Sequence, residues 1–445
     1  MLPEPLPRPT AIEPAEYHKR REALIAQLPQ NAAMILPSAS LVTRSHDSEY
    51  AFRQQSDFYY LTGIQEPDAL LLLLPGREAG QSVVFCQDRD PTMEAWTGRR
   101  LGASGVESQH GIDQAFENAL RDDLLAELLD GRELLYAPLD NPEAVGIAED
   151  ALAHALAGAR RGKPALKGWL DIRPLLHDMR LIKSPAEIAL LRHAATISAQ
   201  AHRRAMRTCQ PGLSEYQLQA ELEHEFMWQG ASGPAYSTIV GGGANACVLH
   251  YIENSAVLKA DTLVLIDAGA EFDLYAGDIT RTFPVNGRFS DAQRALYQVV
   301  LAAQERAIQA IVPGATLVDI HQGVVRDLTA GLVALGLLDG DIQARIDDES
   351  YRRFYLHSTS HWLGLDVHDV GTYHLDEKTP RPLEPGMVLT VEPGLYIPCD
   401  DDIPEAYRGI GIRIEDNVVV TPSGHDVLTS AVPKQVIEIE QLMVN

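Results

Sequence analysis

Four acidic residues stand at positions where an apolar strand should not carry charge. Leu263-Val264-Leu265-Ile266 runs into Asp267, Val388-Leu389-Thr390-Val391 runs into Glu392, Asp278 follows Tyr275-Ala276-Gly277, and Glu415 follows Ile412-Arg413-Ile414. Leu263 to Phe283 reads as strand, turn, strand. A turn at Phe272-Asp273 would set Asp267 directly opposite Asp278, with Cβ atoms ~4.5–5.5 Å apart, where like charges repel unless a cation lies between them. Gly269 and Gly277 could host a bulge that shifts this register. The competing reading is that one Asp caps a turn or pairs with Arg281, and the hairpin alone weights the two equally. Glu415, which follows the alternating Ile412 and Ile414, is either solvent-facing or buried and paired. His357, His361 and His368 fall within twelve residues, and together they look like a site. His357 and His361 have the spacing of half a zincin motif, but Ser358 stands where that motif needs Glu. Four carboxylates and one imidazole make an oxygen-rich set suited to Mn²⁺, Co²⁺ or Mg²⁺, with charge for two divalent ions.

Something must hold these groups together. Residues from about 10 to 175 alternate strand-like runs (Ala69–Leu74, Ser82–Phe85, Glu133–Tyr136) with helical stretches (Asp113–Leu129, Asn141–Leu156), the pattern of a mixed α/β domain. Near Ile182-Lys183-Ser184-Pro185 the pattern changes: Ser184 as N-cap, Pro185 at N1 and Glu187 at N3 open a long helix reaching about Thr208. Pro211-Gly212 ends it, and Ser214 with Gln217 caps the next. The device recurs with Ser290 and Gln293, a helix to about Ile311, the break Pro313-Gly314, and Thr316 as cap. The two breaks lie 102 residues apart (313 − 211). After each helix pair come strands that end in an acid; either this is a duplicated unit whose halves supply carboxylates to one centre, or Pro-Gly breaks and strand-end acids simply recur by being common, and the pattern alone weights the two equally.

The chain has 445 residues and a formal net charge of −25. Such a surface repels phosphate backbones and anionic lipid, which argues against nucleic-acid and membrane functions. The longest apolar run, Ala69–Leu74, is six residues, against the ~20 that a spanning helix needs. Four scattered cysteines without a CxxC pair, and a proline-rich start lacking an apolar signal core, point to the cytoplasm.

Leu265-Ile266-Asp267-Ala268-Gly269 through Asp278-Ile279-Thr280-Arg281-Thr282-Phe283, then His361-Trp362-Leu363-Gly364-Leu365-Asp366-Val367-His368, Glu392-Pro393-Gly394 and Arg413-Ile414-Glu415-Asp416 resemble the metal-binding motifs of the pita-bread metallopeptidases. Arg44-Ser45 through Asp47-Ser48-Glu49-Tyr50-Ala51-Phe52-Arg53-Gln54-Gln55-Ser56-Asp57-Phe58-Tyr59-Tyr60-Leu61-Thr62-Gly63 is similar to the amino-terminal domain of the aminopeptidase P branch. The resemblance spans nearly the whole chain. It implies an α/β (α+β) protein with an amino-terminal domain over 1–178 and a pita-bread catalytic domain over 179–445, the latter with an internal pseudo-two-fold repeat.

By the same resemblance Asp267 is a ligand of one metal, Asp278 and Glu415 bridge two, and His361 and Glu392 hold the other, with Mn²⁺ the expected ion. His250 and His368 would contact substrate and developing charge, and Glu392 would also shuttle a proton. His357 would line a proline pocket, Tyr396 and Arg413 would support the site, the arginine by neutralising part of its carboxylate excess, and Trp96 would reach the site of a neighbouring subunit in a dimer or tetramer. The implied reaction is release of the amino-terminal residue from Xaa-Pro-Yaa peptides by a metal-bridging hydroxide. The X-Pro bond lacks the N–H that most peptidases grip. Alternatives on the same fold are an Xaa-Pro dipeptidase, a metal-free creatinase-like hydrolase and a silent protein-binding module. The intact ligand set argues against the last two, and the long amino-terminal half argues against a methionine aminopeptidase.

Overall fold

The computed structural model describes residues 5–159, 162 and 165–444. Two compact units emerge, one spanning Ile12–Arg180 and the other running from Leu181 onward together with the described residues ahead of Ile12. The start of the chain, grouped with 1–178 on sequence grounds, therefore goes with the later unit. Its contacts explain why: the Leu6 amide donates to Gln229 Oε1 at 2.8 Å, and the Arg8 guanidinium lies 5.2 Å from the centroid of the Phe272 ring.

In the unit Ile12–Arg180 a six-stranded sheet runs in the order Gln114–Glu117, Ser82–Cys86, Leu70–Leu73, Ala32–Pro37, Leu134–Ala137, Gly168–Asp171. Its central strands are continuous apolar runs buried on both faces, as a sheet covered by helices requires. Ile35, Leu70, Leu72, Val83, Phe85 and Leu135 form the middle of that core. The helix expected over Asp113–Leu129 begins only at Arg121. Gln114–Glu117 instead pairs in parallel with Ser82–Cys86, because the Asp113 carboxylate accepts from the Gln81 and Ser82 amides, both at 2.8 Å, and fixes the chain against the sheet edge. Tertiary pairing overrides helix propensity here.

The later unit shows the duplicated pattern. Helix Pro185–Thr208 opens with a Ser184/Glu187 capping box, Glu215–Trp228 with Ser214/Gln217, Asp291–Gln309 with Ser290/Gln293, and Leu317–Ala334 with a Thr316 cap. After each break the capping residue forms an antiparallel bridge to a distant segment, Ser214 to Val257 and Thr316 to Pro382. Ten residues beyond each bridge (267 − 257 and 392 − 382) the following strand delivers an acid: Asp267 ends Leu263–Asp267, and Glu392 follows Val388–Val391. Asp267 and Glu392 thus occupy matching places in two structurally similar halves.

Candidate metal centre

The hairpin that carries Asp267 and Asp278 turns at Asp273-Leu274, both at positive φ (47° and 68°), the geometry of a two-residue primed turn. The expected turn at Phe272-Asp273 is therefore corrected. Phe272 pairs with Tyr275 and Asp267 with Thr280, so Asp267 and Asp278 are diagonal neighbours and not directly opposed. The shift is an even number of residues, which leaves both carboxylates on one face of the ladder. The Gly269 and Gly277 backbones approach so closely that a Cβ on Gly269 would lie 1.7 Å from the Gly277 oxygen.

The Tyr236 hydroxyl, which nothing in the sequence pattern marked, ties the two acids together: it lies within hydrogen-bond distance of both Asp267 Oδ1, at 2.6 Å, and Asp278 Oδ1, and its single proton can go to either. Arg413 Nη2 meets Asp267 Oδ2 at 2.6 Å, its Nε donates to Thr280 Oγ1 at 3.0 Å and its Nη1 to the Tyr396 hydroxyl at 3.0 Å. Thr280 in turn donates to Glu415 Oε2 at 2.6 Å. Glu415 is thus buried and paired, the second of its two expected environments. Arg281, offered above as a partner for one of the aspartates, faces away and is fully buried against Asp416 at 2.7 Å.

His361 completes the cluster. Its Nε2 lies 3.3 Å from both Asp278 Oδ2 and Glu392 Oε1, and its Nδ1 is bound to the Trp362 carbonyl oxygen at 2.9 Å. Thr390 steadies the arrangement from the preceding strand, donating to Glu392 Oε1 at 3.1 Å and accepting from the His361 amide at 3.1 Å. Among the described residues, ligand atoms of Asp278, His361 and Glu415 all lie within 4.8 Å of one another.

Burial, reinforced by the Asp278, Glu392 and Asp267 charges, pushes the Glu415 carboxyl well above the carboxylate range. Burial also raises Asp278 and lifts Glu392 to about 7. Burial works against charge on His361, but the Asp278 hydrogen bond and the Glu392 and Asp278 charges raise it to about 9. Buried carboxyls in such close contact resist ionising together. An oxygen-rich set so crowded fits divalent metal ions, whose charge would displace the carboxyl protons.

A cavity of 620 Å³ opens over this set. His250, His357 and His368 line it with the apolar side chains of Ile239, Leu249, Ile252 and Val367. The His368 ring stands edge-on to His361, with centroids 4.4 Å apart. His357 Nε2 is 2.7 Å from the Tyr396 hydroxyl, and burial lowers its pKa to about 4. Trp96 is not among the lining residues. It sits in the unit Ile12–Arg180, on the short helix Pro91–Thr97, and is 84% exposed. Period-two spacing from Asp278 and Glu392 could have found Thr280 and Thr390, which share their faces; Tyr236 lies in the irregular stretch after the short strand Gly233–Pro234 and carries no such signal.

Comparison with known proteins places the chain in a family. Residues 189–422 match the model of metallopeptidase family M24, and residues 17–136 match that of the aminopeptidase P amino-terminal domain. The Xaa-Pro aminopeptidase of Escherichia coli (strain K12) is 48% identical over 435 residues, 97% of this chain and 98% of that protein. The solved structure of Pseudomonas aeruginosa aminopeptidase PepP superposes with a TM-score of 0.96 at 50% identity, covering 98% of both chains. That of E. coli aminopeptidase P with the inhibitor Pro-Leu gives 0.94 at 47% identity over 98% of this chain and 99% of the other. Both halves of the chain and its cluster of buried acids lead to the same conclusion: this protein belongs to metallopeptidase family M24, with an amino-terminal domain of the aminopeptidase P type.

Proposed function

We propose that the chain releases the amino-terminal residue from peptides with proline in the second position. The observation that carries this reading is the convergence of Asp267, Asp278, His361, Glu392 and Glu415 beneath one cavity lined by imidazoles and aliphatic side chains, in a chain so similar to an Xaa-Pro aminopeptidase. Asp267 would hold one divalent ion, His361 and Glu392 the other, with Asp278 and Glu415 shared, and Mn²⁺ suits the oxygen-rich donors. When bound, such ions polarise a carbonyl and lower the pKa of a water molecule toward neutrality.

The chain's own groups supply the rest. Glu392, oriented by Thr390, is suited to carry a proton to the departing proline nitrogen. His250 and His368 can donate to charge that develops on the carbonyl oxygen. His357, kept neutral by burial and held by Tyr396, offers a ring face to the pyrrolidine, and the aliphatic wall excludes water. Arg413 and Tyr236 hold Asp267 in place.

The cytoplasm and a homo-oligomeric state complete the proposal. The first is supported by four free cysteines. The second is supported by the exposed Trp96 ring.

Hydrolysis of Xaa-Pro-Yaa by metal-loaded protein beside a Glu415→Ala variant tests the reading. Loss of nearly all activity in the variant is expected; equal rates would refute the site assignment. Exclusive cleavage of the dipeptide Xaa-Pro would establish a dipeptidase instead.

A further inference from the structure

Lys183 marks the sequence boundary between the two halves, and the reaction described above does not use it. Its ammonium is buried, with the side chain 1% exposed, and donates at 2.8 Å to Asp369 Oδ2, equally buried. The Lys183 amide also donates to the Gly386 carbonyl at 2.9 Å, so the residue is anchored at both its backbone and its side chain. Asp369 follows His368 directly and closes a loop: its amide donates to the Trp362 carbonyl at 2.9 Å. The neck of that loop therefore joins the residue after His361 to the residue after His368. Packing is tight around the pair. A Cβ on Gly364, inside the loop, would lie 2.1 Å from Asp369 Oδ2 and 3.0 Å from Lys183 Cε. The loop contains no helix, and its one bridge is Trp362 to Leu389. The strand Val388–Val391 holds His361 through Thr390, but past Leu363 something other than regular structure must fix where His368 points, and the Trp362 carbonyl that the Asp369 amide grips is also the one His361 Nδ1 bonds.

We infer that Lys183 and Asp369 are positioning residues whose buried ion pair locks the neck of the Trp362–Asp369 loop, and so sets His361 against the acidic cluster and His368 against the cavity. The argument is one of restraint. Two desolvated charges in contact tolerate little displacement, because separating them leaves each buried without its partner. Residues that orient metal-ligating imidazoles from behind commonly change affinity or activity by ~10–100-fold when replaced. The inference rests on the aminopeptidase reading only for the activity it modulates.

The test uses the full-length protein with Asp369→Asn, Lys183→Met, the double variant Lys183→Met/Asp369→Asn, and the conservative Lys183→Arg. Three quantities are read: the thermal midpoint, Mn²⁺ affinity by titration calorimetry, and kcat and KM on Xaa-Pro-Yaa. Each single charge-removing variant should lower the midpoint, weaken Mn²⁺ binding and lower kcat by roughly 10–100-fold. KM should change less than kcat. The double variant leaves no orphan charge and should regain most of the midpoint, but not the Mn²⁺ affinity or kcat, whereas Lys183→Arg should retain part of all three. If the double variant recovers affinity and kcat along with stability, the pair is merely structural and the inference falls. Wild-type Mn²⁺ affinity in Asp369→Asn would also overturn it. Should the unsubstituted protein cleave no peptide, the aminopeptidase reading fails while the Mn²⁺ titration still decides this one.

Discussion

At the scale of single residues the centre is a problem in charge. Glu392, lifted to about 7 by burial and its acidic neighbours, holds a proton in the folded protein that the unfolded chain, with a Glu pKa of ~4.3, has already released. Its stabilising contribution in metal-free protein is complete below ~4.3 and is lost as pH rises through about 7. His361 behaves alike: raised to about 9, it stabilises fully below its unfolded value of ~6.5 and loses that contribution through about 9. In excess chelator the thermal midpoint should therefore fall between about pH 6 and about pH 9. With saturating Mn²⁺ the same groups bind metal in place of protons, and the trend should flatten or reverse. Calorimetric scans at both pH values check this, and a metal-free midpoint that rises with pH would contradict the charge assignment. The acids were legible in the sequence because an acid at the end of an apolar strand needs a reason. Tyr236 was not, since a tyrosine in an irregular segment gives no hint of which two carboxylates its hydroxyl will join.

At the scale of elements the helix starts were readable. Capping residues act locally, and Ser184, Ser214, Ser290 and Thr316 all open the helices their spacing marked. Pairing partners were less accessible. The hairpin register depended on whether the chain turned at residue 272 or 273, and two consecutive residues at positive φ decided it. That register now rests on a close glycine approach, so Gly269→Ala should be among the most damaging small substitutions in the chain. Its added methyl would lie 1.7 Å from the Gly277 oxygen, and a cost of about 3 kcal/mol, the upper end for overpacking, is expected. A urea midpoint equal to that of the parent protein would show that the hairpin yields more easily than its geometry suggests. The strand Gln114–Glu117 teaches the same lesson from the other side: a stretch with helical periodicity was taken up by a sheet edge.

Over the whole molecule, the net charge of −25 acts through long-range repulsion. Raising ionic strength from about 0.01 M to about 0.15 M shortens the Debye length from ~30 Å to ~8 Å. With metal saturated, the thermal midpoint should rise over that interval; a falling midpoint would mean that attractive pairs outweigh the net repulsion. The strong capping signal at Lys183-Ser184-Pro185 marks a change of pattern in the sequence, while the described residues ahead of Ile12 group with the later unit through Gln229 and Phe272, contacts more than two hundred positions away in the chain. By itself the sequence determined which side chains were anomalous, where helices begin, that the pattern occurs twice, and which family the motifs resemble, since each of these is written in neighbouring residues. Only the tertiary structure decided the diagonal relation of Asp267 to Asp278, the tyrosine and threonines that hold the acids, and the Lys183–Asp369 lock. Those depend on how segments far apart in sequence come to share a buried space, and no local spacing encodes the partner across it.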